Sequence, residues 1–436
     1  MKDKLVRIAK MDKELKFSAL VHHVNSETLT NAFKEIKRNK ATGVDDITVN
    51  NYASNLDNNI AELLTRMKSK DYHPKPVKRV YIPKAGNKDE KRPLGIPATE
   101  DKMVQIAIKN ILEPIFESLF SDSSHGFRPN KSCHTAIKAL DNALMIAPIS
   151  YVVEVDIKQF FSSISHYWLQ RCLEERISDP NMLWLIRQFL KAGIMENGIY
   201  RNNELGTQQG GNLSPLLANI YLHYVLDLWF EKEFKSTSQN YMQQIRYSDD
   251  FIVLFASQKD AERFVIELKS RLSKFGLEVA PDKTRIIKFG KWEYERCNKL
   301  GIKSQTFNFL GFTHYFHKSR NGKTIAGHKT SKDNLRRKLL QMKEWIRNRR
   351  NLLPLKDWMP AIKSKLTGHY NYFGVSGNAR CLQQYYRQTT SLIFKWLNRR
   401  SQRKSMNWSQ FTNYLQMYPL PQPRIMVNFY TLKPIK

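Results

Sequence analysis

Three carboxylates sit where their type and spacing could do chemistry. Asp156 closes the β-branched run Tyr151-Val-Val-Glu-Val-Asp-Ile157. Asp249 and Asp250 form the tip of Gln244-Ile-Arg-Tyr-Ser-Asp-Asp-Phe-Ile-Val-Leu-Phe255, which reads as two apolar runs around a turn. Each feature alone has an ordinary explanation, since Asp at a strand end caps the next helix and Asp-Asp is common turn chemistry. On adjacent central strands the three would converge on one point. Such like-charge crowding is stabilised at neutral pH by bound cations. Oxygen-only ligands favour Mg²⁺, with Mn²⁺ as a substitute, and two such ions about 3.5–4 Å apart drive in-line phosphoryl transfer.

The elements that must position these groups are mixed. The pattern predicts a helix over 26–39 with Ser26 as N-cap, and a hairpin from 77–82 and 93–97 around the charged turn Lys84–Arg92. A helix capped by Thr99 comes next over 99–120, then the strand 151–157 and helices near 166–178, 181–192 and 213–233. The 244–255 hairpin, a helix over 258–275 and a strand over 284–289 complete the region. Without strict βαβ alternation this is an α+β fold with helices on one face of a sheet. Beyond a boundary near 300–325 the chain reads as all-helical. Ser331 caps a helix with the apolar stripe Leu335, Leu339, Met342 and Ile346, and further helices cover 357–373, capped by Asp357, and 378–400.

Charge names a partner class. The 436 residues carry 71 Lys and Arg against 40 Asp and Glu, a net +31. From Ser331 onward there are 21 Lys and Arg and 3 acids. That balance points to nucleic acid. The candidate phosphate contacts are Arg336, Arg337, Lys343, Arg347, Arg350, Lys395, Arg399 and Arg400. Most of the aromatics among them read as the core of the helical tail. No apolar stretch reaches the roughly 18 residues of a membrane span, so no membrane partner is expected. Met1 is not followed by an apolar leader segment. Cys133, Cys172, Cys297 and Cys381 are far apart, which suits a reducing interior and neither a disulfide framework nor a zinc site.

Tyr247-Ser-Asp-Asp250 on its hairpin resembles the Y-x-D-D box of reverse transcriptases. It stands in order with Arg92-Pro-Leu-Gly-Ile-Pro97, Gly126-Phe-Arg-Pro129, Asp156-Ile-Lys-Gln-Phe-Phe161, the block Gln209–Leu222, Pro281-Asp-Lys-Thr284 and Phe307-Asn-Phe-Leu-Gly-Phe312. With Gly368–Asn378 and Lys395–Arg400, the set resembles the bacterial group II intron-encoded reverse transcriptase/maturases. The resemblance implies a right-hand polymerase fold, fingers and palm with an antiparallel sheet, followed by an all-helical thumb or X domain. It places an N-terminal extension and the start of the fingers in 1–75, fingers and palm in 76–305, and the thumb in 306–436.

It also implies roles. Asp156, Asp249 and Asp250 would be catalytic and hold two Mg²⁺ ions, with the Ile157 carbonyl as a further ligand. Lys84, Arg92, Phe161, Gln209 and Lys283 would contact the dNTP, Phe161 as the gate against a 2′-hydroxyl. The implied activity is RNA-directed DNA synthesis from a DNA primer on an RNA template. Binding of structured intron RNA, for splicing and retrohoming, would accompany it. Two alternatives stay open: an intron-free relative in DNA repair or phage defence, and a splicing maturase with little polymerase activity. The implied partners are intron RNA, the template/primer duplex and dNTPs, with no obligate protein partner, in a bacterial cytoplasm near the nucleoid. The sequence departs from the family pattern at Gln208, usually proline, and at Ser248, usually alanine. Its tail holds no cysteine pairs or H-N-H pattern, so no DNA-cleaving activity is expected.

Overall fold

Amphipathic helices open the chain: α1 (Lys2–Met11), α2 (Ser26–Glu35), α3 (Val49–Ala53) and α4 (Leu56–Lys68). In α2 the helical spacing buries Leu29, Ala32 and Phe33. Its cap is Asn25, one residue before the expected Ser26. The Asn25 side chain accepts from the Thr28 N–H while the Thr28 hydroxyl accepts from the Asn25 N–H. The computed structural model describes residues 2–83, 91–202, 204–208, 210–400 and 406–429. They fall into two units, one of Met1–Ala136 and Tyr151–Ile286, the other of Ile137–Ser150 and Ile287–Lys436.

In the first unit, β1 (Val77–Pro83) and β2 (Lys91–Ile96) pair antiparallel, as the 77–97 pattern predicts. Next, α5 (Thr99–Glu117) is buried nearly all round and runs through the core. Thr99 does not cap it; the Thr99 hydroxyl donates to the Ile47 carbonyl at 2.8 Å. Helix α6 (Cys133–Ile146) carries the chain from this unit into the segment 137–150 of the other. Then come β3 (Tyr151–Asp156), α7 (Phe160–Ser163), α8 (His166–Glu174), α9 (Pro180–Lys191), β4 (Ile194–Glu196) and β5 (Ile199–Arg201). Helix α10 (Ser214–Leu222) widens into π-type turns over His223–Asp227 and Trp229–Phe234. The hairpin β6 (Met242–Tyr247) and β7 (Asp250–Phe255), α11 (Gln258–Lys274) and β8 (Arg285–Lys288) complete the series.

Two sheets result, with strand orders β2-β1-β4-β5 and β6-β7-β3-β8. The second brings the carboxylate strands together. β7 lies between β6 and β3, antiparallel to both, and Asp156 is directly opposite Asp250. The first sheet is mixed, because β1 pairs parallel with β4.

The second unit corrects one expectation. Residues 306–436 are not all-helical: after α12 (Lys291–Lys299), the strands β9 (Phe307–Phe309), β10 (Phe312–Lys318) and β11 (Thr324–Thr330) form an antiparallel sheet. Phe312, His314 and Phe316 alternate inward along β10, the period-2 pattern of a half-buried strand. Four helices come after the sheet, α13 (Lys332–Arg349), α14 (Leu355–Phe373), α15 (Ala379–Leu397) and α16 (Trp408–Met417). Ser331 caps α13 as expected, accepting from the Asn334 N–H. Asp357 does not cap α14; it lies in the first turn, where its negative charge interacts favourably with the positive end of the helix dipole. Trp358, Tyr370, Phe373, Tyr385 and Trp396 are core, so most of the tail's aromatics pack inward.

One buried polar network holds the site's sheet. Arg246, on β6, has no exposed surface, and neither does the side chain of its partner Asp227. Its guanidinium donates to both Asp227 oxygens at 2.8 and 2.5 Å, to Asn219 Oδ1 at 3.0 Å and to the Ser248 carbonyl at 3.1 Å. Gln244 adds a bond to Asp227 at 2.7 Å. The π-type widening of the helix after Leu222 spans Asp227. Asp227→Ala would leave a buried guanidinium uncompensated and should cost about 3–5 kcal/mol in a urea unfolding experiment. Glu231→Ala, which removes the exposed pair with Lys235, should cost no more than about 1 kcal/mol.

Candidate active site

The turn between β6 and β7 consists of Ser248 and Asp249, flanked by the register pair Tyr247 and Asp250. Ser248 has φ of 60°, the left-handed conformation that a two-residue hairpin demands. Its strain is held by the Arg246 bond to its carbonyl. The loop 123–128 packs behind it. Arg246 and His125 exchange backbone bonds with this strand and loop, Arg246 N–H to Ser123 O and His125 N–H to Arg246 O, both 2.8 Å. A Cβ on Gly126 would lie 2.4 Å from the Ser248 nitrogen, so only glycine lets the loop approach the turn. Asn219 closes the assembly by donating to the Gly126 carbonyl at 2.7 Å.

The three predicted carboxylates therefore meet at one end of the sheet. Asp250 keeps its solvent access although protein surrounds it on most sides. Desolvation, then the charges of Asp249, Asp156 and Glu154, push its carboxyl up to about 7. Asp249 is half-buried and is also raised, chiefly by burial. Its own N–H, the Ser248 hydroxyl and the charge of Arg92 act in the opposite direction.

This donor set fits a hard divalent cation: it is all oxygen, anionic and mutually repelling. Among the described residues, no three Asp, Glu, His or Cys side chains already stand as a closed cage. Instead the Lys283 ammonium lies 2.5 Å from Asp156 Oδ2 and supplies the counter-charge. The Ile157 carbonyl is free of one obvious claim. The bridge between Ile157 and Val279 uses the carbonyls of Asp156 and Glu278 rather than its own.

The predicted nucleotide contacts are placed unevenly. Arg92 is exposed on β2, and its charge reaches Asp249. Phe161 is half-buried and edge-on to the buried Phe160. Its carbonyl accepts from the Thr207 N–H at 2.7 Å, which ties it to the 206–208 loop. Lys84 and Gln209 lie outside the described residues. Beside Gln209 in the sequence, Gln208 is held by hydrogen bonds of its side chain and its carbonyl. Its side chain accepts from Gln105 at 3.3 Å and donates to the Phe189 carbonyl at 3.1 Å, while its carbonyl accepts from Ser214. Gln105, Asp227, Asn219 and Arg246 do not stand out in the sequence. The only signal for them is polar residues inside apolar periodic runs.

Within the second unit, the eight predicted phosphate contacts split. Arg336, Lys343 and Lys395 line one open groove along α13 and α15. Arg347 is exposed. Arg337 faces a different cleft, between α13 and α14. Arg350 and Arg399 lie over the Trp396 ring at 4.8 and 5.5 Å, and Arg400 reaches the Leu353 carbonyl at 3.4 Å. These last three are engaged in holding the helices together as well as carrying charge. Among the described residues, no helix is long and apolar enough to cross a membrane.

Comparison with known proteins agrees with the geometry. Residues 82–314 match the family model for reverse transcriptase (RNA-dependent DNA polymerase). The group II intron-encoded protein LtrA of Lactococcus lactis subsp. cremoris is 44% identical over 195 residues, 44% of this chain and 32% of LtrA. YkfC of Escherichia coli is 32% identical over 320 residues, 66% of this chain and 84% of YkfC. A 91 kDa protein in the cob intron of Schizosaccharomyces pombe is 31% identical over 278 residues, 52% of this chain and 34% of that protein. The matched part thus spans about a third of LtrA. The carboxylate hairpin lies inside a match that covers more than half of the sequence, and the chain belongs to the reverse transcriptase family.

Proposed function

We propose that this protein is an RNA-directed DNA polymerase that extends a DNA primer on an RNA template and also binds structured intron RNA, assisting splicing and retrohoming. The observation that carries the polymerase reading is the register pairing of Asp156 with Asp250 beside the Asp249 turn. The intron part rests on the similarity to LtrA and to the cob intron protein, and on the surplus of positive charge after Ser331.

Asp156, Asp249 and Asp250, with the Ile157 carbonyl, would hold two Mg²⁺ ions, for which Mn²⁺ substitutes. When bound, such ions acidify the primer 3′-hydroxyl and neutralise the pyrophosphate leaving group. The residues of the chain do the rest. Arg92 places a cation near Asp249, suited to a triphosphate, and the family resemblance adds Lys84 and Gln209 as nucleotide contacts. Phe161, anchored through its carbonyl, keeps its ring where a 2′-hydroxyl would clash, so dNTPs are selected. Lys283 holds Asp156 in place until substrate arrives, and its ammonium then neutralises phosphate charge. In this reading β1 and β2 belong to the fingers, the β6-β7-β3-β8 sheet is the palm, and α13–α15 are the thumb.

An extension assay on poly(rA)/oligo(dT) with Mg²⁺ and dTTP tests the proposal. The wild-type chain should incorporate dTTP, and Asp249→Ala should reduce incorporation to background. Wild-type extension no better than that of the variant would falsify the polymerase reading. Phe161→Ala should lower discrimination between dTTP and UTP while leaving dTTP extension measurable; unchanged discrimination would remove Phe161 as the gate. Asp250→Asn relieves like-charge repulsion, so in the absence of divalent cation it should raise the melting temperature while abolishing extension. The gain should fade as pH falls below about 7, where Asp250 itself takes up a proton.

A further inference from the structure

Helices α13, α14 and α15 enclose an open cleft of about 660 Å³ in the second unit. Arg337, Lys338 and Lys365 line it, and among the described residues no acid does. Burial and the neighbouring charges of Arg337 and Lys365 lower the affinity of Lys338 for its proton, a mark of crowded cations. Lys365 is steered by the Trp345 ring, 4.9 Å from its ammonium.

The cleft wall holds a polar group with nothing to do. His369 is 6% exposed and lines the cleft, yet neither ring nitrogen has a hydrogen-bond partner. Its ring is stacked on the buried Tyr385, with centroids 3.7 Å apart and planes 15° from parallel. Burial, then the charge of Lys338, keep it neutral. A neutral imidazole offers one donor and one acceptor on a rigid plane. Beside it, Gly368 leaves open space: a Cβ there would meet nothing within 4 Å.

Three cations for a phosphate, and open space beside a stacked pair of rings for a base, are the elements of recognition for an unstacked nucleotide. We propose that this cleft takes one extrahelical nucleotide of a structured RNA, its phosphate against Arg337, Lys338 and Lys365 and its base in the open space beside Gly368 and His369. The assignment rests on the reading of the chain as an RNA-handling enzyme, and it goes beyond it by naming a single-nucleotide site within the second unit.

The test is binding of the full chain to an RNA hairpin with one bulged adenosine and to the same hairpin without the bulge. The bulged hairpin should bind roughly tenfold tighter, the scale expected of one base–aromatic contact. Gly368→Leu fills the open space on a helix that favours leucine over glycine, so it should fold and bring the two affinities together. Lys365→Gln should weaken the bulged hairpin more than the paired one. Adenosine 5′-monophosphate should compete away the preference, and inorganic phosphate at the same concentration should not. Equal affinities in the wild type overturn the proposal. So does a preference that survives Gly368→Leu, or one that phosphate competes as well as the nucleotide. Binding of neither hairpin overturns the broader RNA-handling reading along with this one.

Discussion

A single buried ion pair governs the geometry of the candidate site. Arg246 lies on the strand that leads into the Ser248-Asp249 turn, and its guanidinium is shared between Asp227, Asn219 and the carbonyl of Ser248. Burying two charges is expensive, and an apolar pair of similar volume would stabilise the core as well or better. What the ion pair supplies is direction. The fork of Arg246 spans a helix, a loop and a strained turn at once, and each of these elements would otherwise be free to shift. The left-handed Ser248 and the glycine-tight approach of the 123–128 loop depend on that bond. A hairpin tip closed only by its own ladder would leave Asp249 far less well placed.

The opposite constraint acts a few ångströms away, where the carboxylates repel one another. Within the chain this repulsion is balanced by Lys283 on Asp156 and Arg92 near Asp249, and by the reluctance of Asp250 to lose its proton. The site therefore stores unfavourable energy that a cation would release, the usual exchange of stability for activity. The 206–208 loop obeys the same logic. There Gln208 is fixed through hydrogen bonds to Gln105 and Phe189.

In the second unit the division of labour is between packing and charge. Most aromatics are core, and Arg350, Arg399 and Arg400 serve both purposes. Of the other candidate cations, Arg336, Lys343 and Lys395 line one groove, Arg337 lines the cleft beside His369, and Arg347 is exposed outside both. A helical stripe predicts which residues face inward, and it does not say which neighbour each outward residue will meet.

Local chemistry was legible in the sequence. The β-branched run ending at Asp156, the apolar run after Asp250 and the Ser331 cap arise from short-range periodicity and turn chemistry, and the structure bears each of them out. The polyanion class of partner came from charge alone. Tertiary structure decided what periodicity cannot encode. It moved the α2 cap to Asn25, turned 307–330 into a sheet, and placed polar Gln244 and Arg246 on a buried face where Asp227, together with Asn219 and the Ser248 carbonyl, makes them tolerable. Sequence spacing determines which side of a strand or helix a residue occupies. Whether that side meets water, a partner charge or another helix depends on contacts between residues far apart in the chain.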